Sequence, residues 1–332
     1  MDHLRTDPGP AAPPSPPSAD PNLRVELGAL TLATPILLAS GTCGYGFELE
    51  SLIDFTRIGG IVTKTVTRLP REGNPPPRIA ETPSGMLNSI GLENVGIDAF
   101  LTTKLPRSRE LPTHIVVSIG GHQVEDYVEL ARRLAGAEGA AAIELNLSCP
   151  NVSGGLDLSQ SASGCARVVA EVRAVTELPI IAKLTPNVTR VSEIARAAAD
   201  SGATAVSLVN TFIGMAIDIE RRAPRLSTIT GGLSGPAIRP LALAKVFEVT
   251  RAVSIPVIGI GGIASAEDVI EFLLAGAAAV EVGTANYVAP GGAAELAGGL
   301  AAYLERHNLR AAADIGGTLR LPGASRPPAS AS

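Results

Sequence analysis

Eight short apolar runs recur between residues 36 and 282, at 36–40, 60–65, 115–119, 142–147, 180–184, 205–209, 257–260 and 279–282. Runs of four to six mostly apolar residues without strict alternation read as strands buried on both faces, the mark of a parallel sheet. Parallel strands need crossovers, and 123–136, 191–201 and 266–275 have helical periodicity, the last two ending at Gly202 and Gly276 in the C-cap place. Eight such units predict an α/β fold, a (β/α)8 TIM barrel. Ahead of the first, 23–27 and 29–32 alternate around Gly28 as an N-terminal hairpin that would close the bottom of the barrel. Two connections are longer than a plain barrel requires, 68–92 after strand 2 and 212–238 after strand 6, and long loops in compact domains are usually lids or binding loops.

One domain of this kind, 23–312, accounts for most of the 332 residues. Residues 1–22 are rich in Pro, Ala, Asp and Ser, with no apolar or amphipathic stretch for a leader or a membrane anchor, and are expected to be a disordered tail. Residues 313–332 are expected to be a flexible C-terminal tail. Aromatics make up only 3% of the chain and Trp is absent, which suits helices packed on strands through small side chains. The net charge of -5 offers no basic field for nucleic acid. Cys43, Cys149 and Cys165 are widely spaced and the four histidines lack ligand spacing, so neither a disulfide framework nor a metal site is written here. A reducing cytoplasm fits this cysteine usage best.

Ligands bind at the C-terminal ends of barrel strands. Read only there, the chain gives Ser40-Gly41, Lys64-Thr65, Ser118, Asn146 with Cys149, Lys183, Asn210-Thr211, Gly261-Gly262 and Gly283-Thr284. One such residue is ordinary turn chemistry; a polar or glycine position on every strand of one rim points to a site. The stretch from Glu144 to Val152 condenses this, an apolar run ending in Asn146, Ser148, Cys149 and Asn151 around Pro150. Taken alone, it reads equally well as a capped turn with a filler cysteine.

The glycine pairs after strands 7 and 8 occupy the usual phosphate site of such barrels, where backbone N–H groups face the anion, and imply a phosphate-bearing cofactor. Residues 259–264 also fit a loose dinucleotide pattern, with Glu281 about where a ribose-binding acid would fall. That reading fails because the unit is the seventh of eight rather than the start of a sheet. Lys64 and Lys183 close apolar runs on opposite sectors of the mouth, and partly buried lysines there want an anionic partner, either a phosphate or a reduced flavin ring. Asn88, Asn146 and Asn210 add paired donors and acceptors suited to a flat polar substrate.

These residues also stand in longer motifs: Ala39-Ser-Gly-Thr42, Thr63-Lys-Thr65, Asn88-Ser-Ile-Gly-Leu92, Asn146-Leu-Ser-Cys-Pro-Asn151, Lys183-Leu-Thr-Pro-Asn187, Asn210-Thr211, Thr230-Gly-Gly-Leu-Ser-Gly-Pro236, Gly259-Ile-Gly-Gly262 and Val282-Gly-Thr-Ala-Asn286. Over about residues 23–308 the chain resembles the class 1 dihydroorotate dehydrogenases, and within them the catalytic subunit of class 1B. The resemblance implies an FMN-containing barrel that oxidises dihydroorotate to orotate in pyrimidine synthesis. FMN would be held by Ser40, Lys64, Thr65, Ser118, Asn146, Lys183, Val209, Gly235, Gly261, Gly262, Gly283 and Thr284. Ser118 stands where the family pattern leads one to expect Asn. Substrate would meet Lys64, Asn88, Ser89, Ile90, Gly91, Leu92, Asn146, Asn210 and Thr211, and Cys149 would be the catalytic base. A thiol with a reference pKa of about 8.5 is a fitting base for the proton beside a carbonyl.

The same resemblance implies a homodimeric core and a partner subunit carrying FAD and a 2Fe-2S cluster in a heterotetramer, passing electrons to NAD. Two other readings share the barrel: a fumarate-using class 1A enzyme, and a related FMN barrel acting on another dihydropyrimidine. A third is a phosphate-binding barrel without chemistry, which the intact lysines, asparagines and Cys149 disfavour.

Overall fold

A computed structural model describes residues 21–147 and 160–323. Its centre is a closed barrel of eight parallel strands, β1 Ile36–Leu38, β2 Gly60–Val62, β3 His114–Ile119, β4 Ala142–Asn146, β5 Ile180–Lys183, β6 Ala205–Leu208, β7 Val257–Ile260 and β8 Ala279–Val282. Each strand pairs with its sequence neighbours, and β8 pairs with β1 to close the ring. Nearly every strand residue is buried, as expected for runs covered by helices outside and side chains inside. The strands end one to three residues sooner than their apolar runs on β1, β2, β4, β5 and β6, because the last residues turn outward as rim.

The crossover helices show their causes in sequence. Val124–Ala135 buries Val124, Tyr127, Leu130, Ala131 and Leu134 along one face, and the Asp126 carboxylate caps its start by accepting from the His122 and Gln123 amides. Ala266–Leu274 is capped by Ser265, whose hydroxyl accepts from the Asp268 amide while Asp268 accepts from the Ser265 amide. Val191–Asp200 and Ala266–Leu274 are followed by Gly202 and Gly276 at φ of 97° and 103°, the left-handed conformation that only glycine takes cheaply. Burial of each large apolar side chain in the shell contributes roughly 1.5–3 kcal/mol.

The hairpin, Val25–Leu27 paired antiparallel with Leu30–Leu32, sits at the N-terminal ends of the strands. There the Thr31 carbonyl is 2.9 Å from Nε2 of His114 at the start of β3. At the other end the two long connections are present, and each contains strands that the sequence reading did not expect. Strands Ile79–Thr82 and Gly85–Asn88 from the first excursion join Phe212–Met215 and Thr230–Ser234 from the second in one four-stranded antiparallel sheet. Its seam pairs Asn88 with Gly232 and Met86 with Ser234. Neither segment makes this sheet alone, which is why a local reading of glycine- and proline-rich sequence saw loops.

The expected tail from 313 begins within packed chain: Ala312–Ile315 forms a helical turn with Ile315 in the core, and the Gly317 amide bonds the Leu273 carbonyl. Asn22, counted with the N-terminal tail, is hydrogen-bonded through its backbone to Arg310 and Ala312. The remainder of both tails, 1–20 and 324–332, lies outside the described residues.

Candidate active site

The polar ends of β1 to β4 meet as a hydrogen-bonded arc. Ser40 Oγ donates to the Thr63 carbonyl at 2.7 Å and lies 3.3 Å from Thr65 Oγ1, which is 3.0 Å from Ser118 Oγ. Asn146 Nδ2 donates to the same Thr65 hydroxyl at 3.3 Å, and Asn210 Nδ2 to Asn146 Oδ1 at 3.4 Å. Tyr127 Oη donates to the Asn146 carbonyl at 2.8 Å and so pins the end of β4. Ser118 is fully buried, its hydroxyl joined to Thr65.

The second group hangs over this arc. The Thr211 amide donates to Asn210 Oδ1 at 2.8 Å, and Asn187 holds the segment through its Nδ2, which donates to the Thr211 carbonyl at 3.0 Å. Asn187 closes the motif that begins at Lys183, yet residue-by-residue reading gave it no role; its signal was an amide one turn beyond a strand end. Asn88 Nδ2 donates to the Gly232 carbonyl at 3.3 Å, and a Cβ on Gly232 would meet Thr211 Oγ1 at 2.0 Å, so only glycine lets these segments touch. The 88–92 loop is held from behind by Asn74, whose Nδ2 bonds the Ser89 carbonyl and whose amide bonds the Ile90 carbonyl. Leu92 reaches toward Gly120 at the end of β3. Ser89 Oγ is buried with no hydrogen-bond partner among the described residues, an orphaned group of the kind a ligand satisfies.

A third group gathers after β6, β7 and β8. A Cβ on Gly261 would stand 3.3 Å from Val209, one on Gly262 would stand 2.9 Å from the Gly235 carbonyl, and one on Gly235 would stand 3.5 Å from Thr284. Thr284 Oγ1 donates to Ser234 Oγ at 2.8 Å. The amides of Gly262, Gly283 and Thr284 have no acceptor among the described residues. Free N–H groups on neighbouring loops form an anion cradle, so this corner fits a phosphate.

The two lysines differ. Lys64 is half-buried, and no carboxylate among the described residues lies within ion-pair distance of it. Burial pulls its pKa below the usual lysine value, with Glu93 opposing and Arg78 adding to the effect. Lys183, by contrast, is inside the barrel, its Nζ 3.3 Å from Glu144 Oε1 and 3.1 Å from Glu281 Oε2. Burial alone would lower its pKa; the two glutamates outweigh that and hold it above the usual range. The expected anionic partner of Lys183 is thus present in the fold. Glu144 and Glu281, each fully buried, were given no role beside Lys183, although a charge at the middle of an apolar run is the signal that finds them.

Thus Ser40, Lys64, Thr65, Ser118, Asn146, Val209, Asn210, Thr211, Asn88 to Leu92 and the glycine corner border one mouth, with Lys183 below it. Cys149, with the 148–159 segment, lies outside the described residues. Hydroxyls and amides along one edge, an anion cradle at one end and a lysine with no ion-pair partner among the described residues fit a flat, polar, phosphate-bearing group.

Comparison with known proteins agrees with this geometry. The family model described as dihydroorotate dehydrogenase matches residues 22–304. A protein of Bacteroides thetaiotaomicron is 50% identical over 301 residues, 90% of this chain and 99% of the relative. A protein of Geotalea daltonii is 48% identical over 304 residues, 91% of this chain and all of the relative. One of Pelobacter propionicus is 50% identical over 300 residues, 90% and 99% of the two chains. All three are named dihydroorotate dehydrogenase B (NAD(+)), catalytic subunit. With a barrel whose polar rim carries the motifs of that family and a match along nine-tenths of its length, the chain belongs to the dihydroorotate dehydrogenase family.

Proposed function

We propose that this chain oxidises dihydroorotate to orotate in pyrimidine nucleotide synthesis, with FMN as its cofactor and the electrons leaving through a partner subunit to NAD. The observation that carries the reading is the convergence on one mouth of Lys64, Asn88, Asn146 and the Asn210-Thr211 pair beside the amides of Gly262, Gly283 and Thr284. Those three amides would take the FMN phosphate, and the arc from Ser40 to Asn146 would meet the ring edge. Bound there, the flavin would supply the hydride acceptor needed when a carbon–carbon single bond loses a hydride from one carbon and a proton from the other to become a double bond.

The chain's own residues do the rest. Asn88, Asn146 and Asn210 offer amide edges that match a dihydropyrimidine ring carrying both N–H and C=O groups. Lys64 has lost hydration to burial without a carboxylate in ion-pair distance among the described residues, so an arriving carboxylate would restore what burial removed; this favours an acidic substrate. Cys149 is assigned as the base that takes the proton from the carbon beside the carbonyl.

We further read the assembly as a homodimeric core with an FAD- and 2Fe-2S-carrying subunit in a heterotetramer, and the location as cytoplasmic. The relatives' name supports a partner subunit. So does an exposed apolar stripe, Ile213, Met215, Ile217 and Ile219, the kind of surface protein contacts bury. Among the described residues no helix is long and apolar enough to cross a membrane.

The test is to supply the purified chain with dihydroorotate and, in turn, an artificial dye, NAD and fumarate. Turnover with dye alone, and NAD reduction only after the partner is added, is the expected pattern. Brisk fumarate reduction by the chain alone would move it to class 1A while leaving the chemistry standing, and no turnover with any acceptor would overturn the reading.

A further inference from the structure

Below the rim lies a charge cluster that the reaction above does not employ. Glu144 of β4, Lys183 of β5 and Glu281 of β8 are buried to 0%, 5% and 0% exposure. Lys183 Nζ donates to one oxygen of each glutamate, and Ser207 Oγ of β6 donates to the second oxygen of Glu144 at 2.9 Å. The fourth carboxylate oxygen, Glu281 Oε1, is buried with no donor among the described residues. The two carboxyls interact directly.

The charges do not balance. Two carboxylates and one ammonium leave a net negative charge in a dry interior, and two acceptors side by side repel unless a proton lies between them. The other titratable group facing Glu281 is the Cys43 thiol, from the turn after β1. Burial first, then Glu281 and Glu48, push it up to about 12, so it is neutral and brings no compensating charge. Among the described residues Lys183 is therefore the sole cation within ion-pair distance of the two carboxyls.

We propose that Glu144 and Glu281 hold one proton between them at neutral pH, carried on Glu281, so that with Lys183 they form a neutral, proton-storing floor beneath the mouth. The orphaned oxygen then has its proton, and Lys183 keeps its charge with its Nζ fixed from below. Burial, with the Glu144 charge beside it, pushes the Glu281 carboxyl up to about 8. Glu281 is a positioning residue: it acts on a bound flavin only through Lys183 and through its own charge. That consequence rests on the cofactor reading above; the proton itself does not.

Infrared spectroscopy of the full chain decides the first point, because exposed carboxyls are ionised well below neutral pH. The wild type should show a protonated-carboxyl carbonyl band that disappears as pH rises from 6 to about 10. Glu281→Gln should lack it, and in Glu144→Gln its midpoint should fall, since the neighbouring negative charge is gone. No such band in wild type, or an unchanged band in Glu281→Gln, overturns the proposal. The second point is read from the flavin midpoint potential against pH. Wild type should fall more steeply than Glu281→Gln above about pH 8, as the added negative charge disfavours the reduced ring. Parallel curves would sever the floor from the cofactor. A chain that binds no flavin yet shows the band would remove the functional reading and leave the proton store standing.

Discussion

Two lysines at the ends of apolar strands have opposite fates in this barrel. Lys183 is fully ion-paired and inside; Lys64 is on the rim, partly desolvated and without a carboxylate within ion-pair distance among the described residues. The sequence around them looks alike, Val-Thr-Lys-Thr against Ile-Ala-Lys-Leu. What separates them lies far off in sequence: Glu281, 98 residues on from Lys183, completes one site and has no counterpart at the other among the described residues. The floor of the barrel is a closed electrostatic unit, whereas the rim is an open one that a ligand must complete.

The comparison breaks most visibly at the base. Cys149→Ala should bind FMN normally and slow flavin reduction by dihydroorotate by about 10²- to 10⁴-fold or more, as loss of a general base does. Stopped-flow absorbance measures this, and a wild-type rate would remove Cys149 from the chemistry.

Next come the lysines themselves. Lys183→Met leaves two carboxyls buried beside each other, and denaturant unfolding should show a loss of about 3–5 kcal/mol, less whatever protonation relieves. Lys64→Met removes a cation that has no ion-pair partner among the described residues, so stability should stay within about 1 kcal/mol of wild type while orotate affinity collapses. Equal stability losses in the two variants would erase the distinction between floor and rim.

Much of this was legible in the chain and some was not. The eight strands were, because each is a dense apolar run with its own boundary signals. The rim residues followed, since strand ends place them. The sheet over the mouth was not, because its seam joins Asn88 to Gly232 across the whole middle of the chain. Glu281 was seen only as a would-be ribose ligand in a rejected motif; that it faces Lys183 depends on barrel closure, through which β8 returns beside β1 and its side chains meet those of β5 inside.

A subtler effect sharpens the floor's side of the comparison. The Glu281 carboxyl has an ordinary value of 4.5 and is raised to about 8 in the fold, so between these the folded chain binds a proton that the unfolded chain lacks. Stability from this group therefore falls as pH rises through that window. Glu281→Gln cannot titrate, and its stability relative to wild type should climb from pH 5 to pH 8 in thermal melts. A constant difference between the two would place the proton elsewhere. Smallest of all, Ser89→Ala should change stability by no more than about 0.5 kcal/mol, because its hydroxyl has no partner to lose among the described residues, yet weaken orotate binding measurably by flavin titration. Unchanged affinity would take Ser89 out of the substrate's reach.

The most direct measurement is anaerobic titration of the purified, flavin-loaded chain with dihydroorotate, followed by the flavin absorbance near its visible maximum and by orotate formation. One equivalent of dihydroorotate should bleach one flavin and release one orotate with no other protein present. A flavin that stays oxidised under excess dihydroorotate, or a chain that purifies without binding added FMN, would contradict the account.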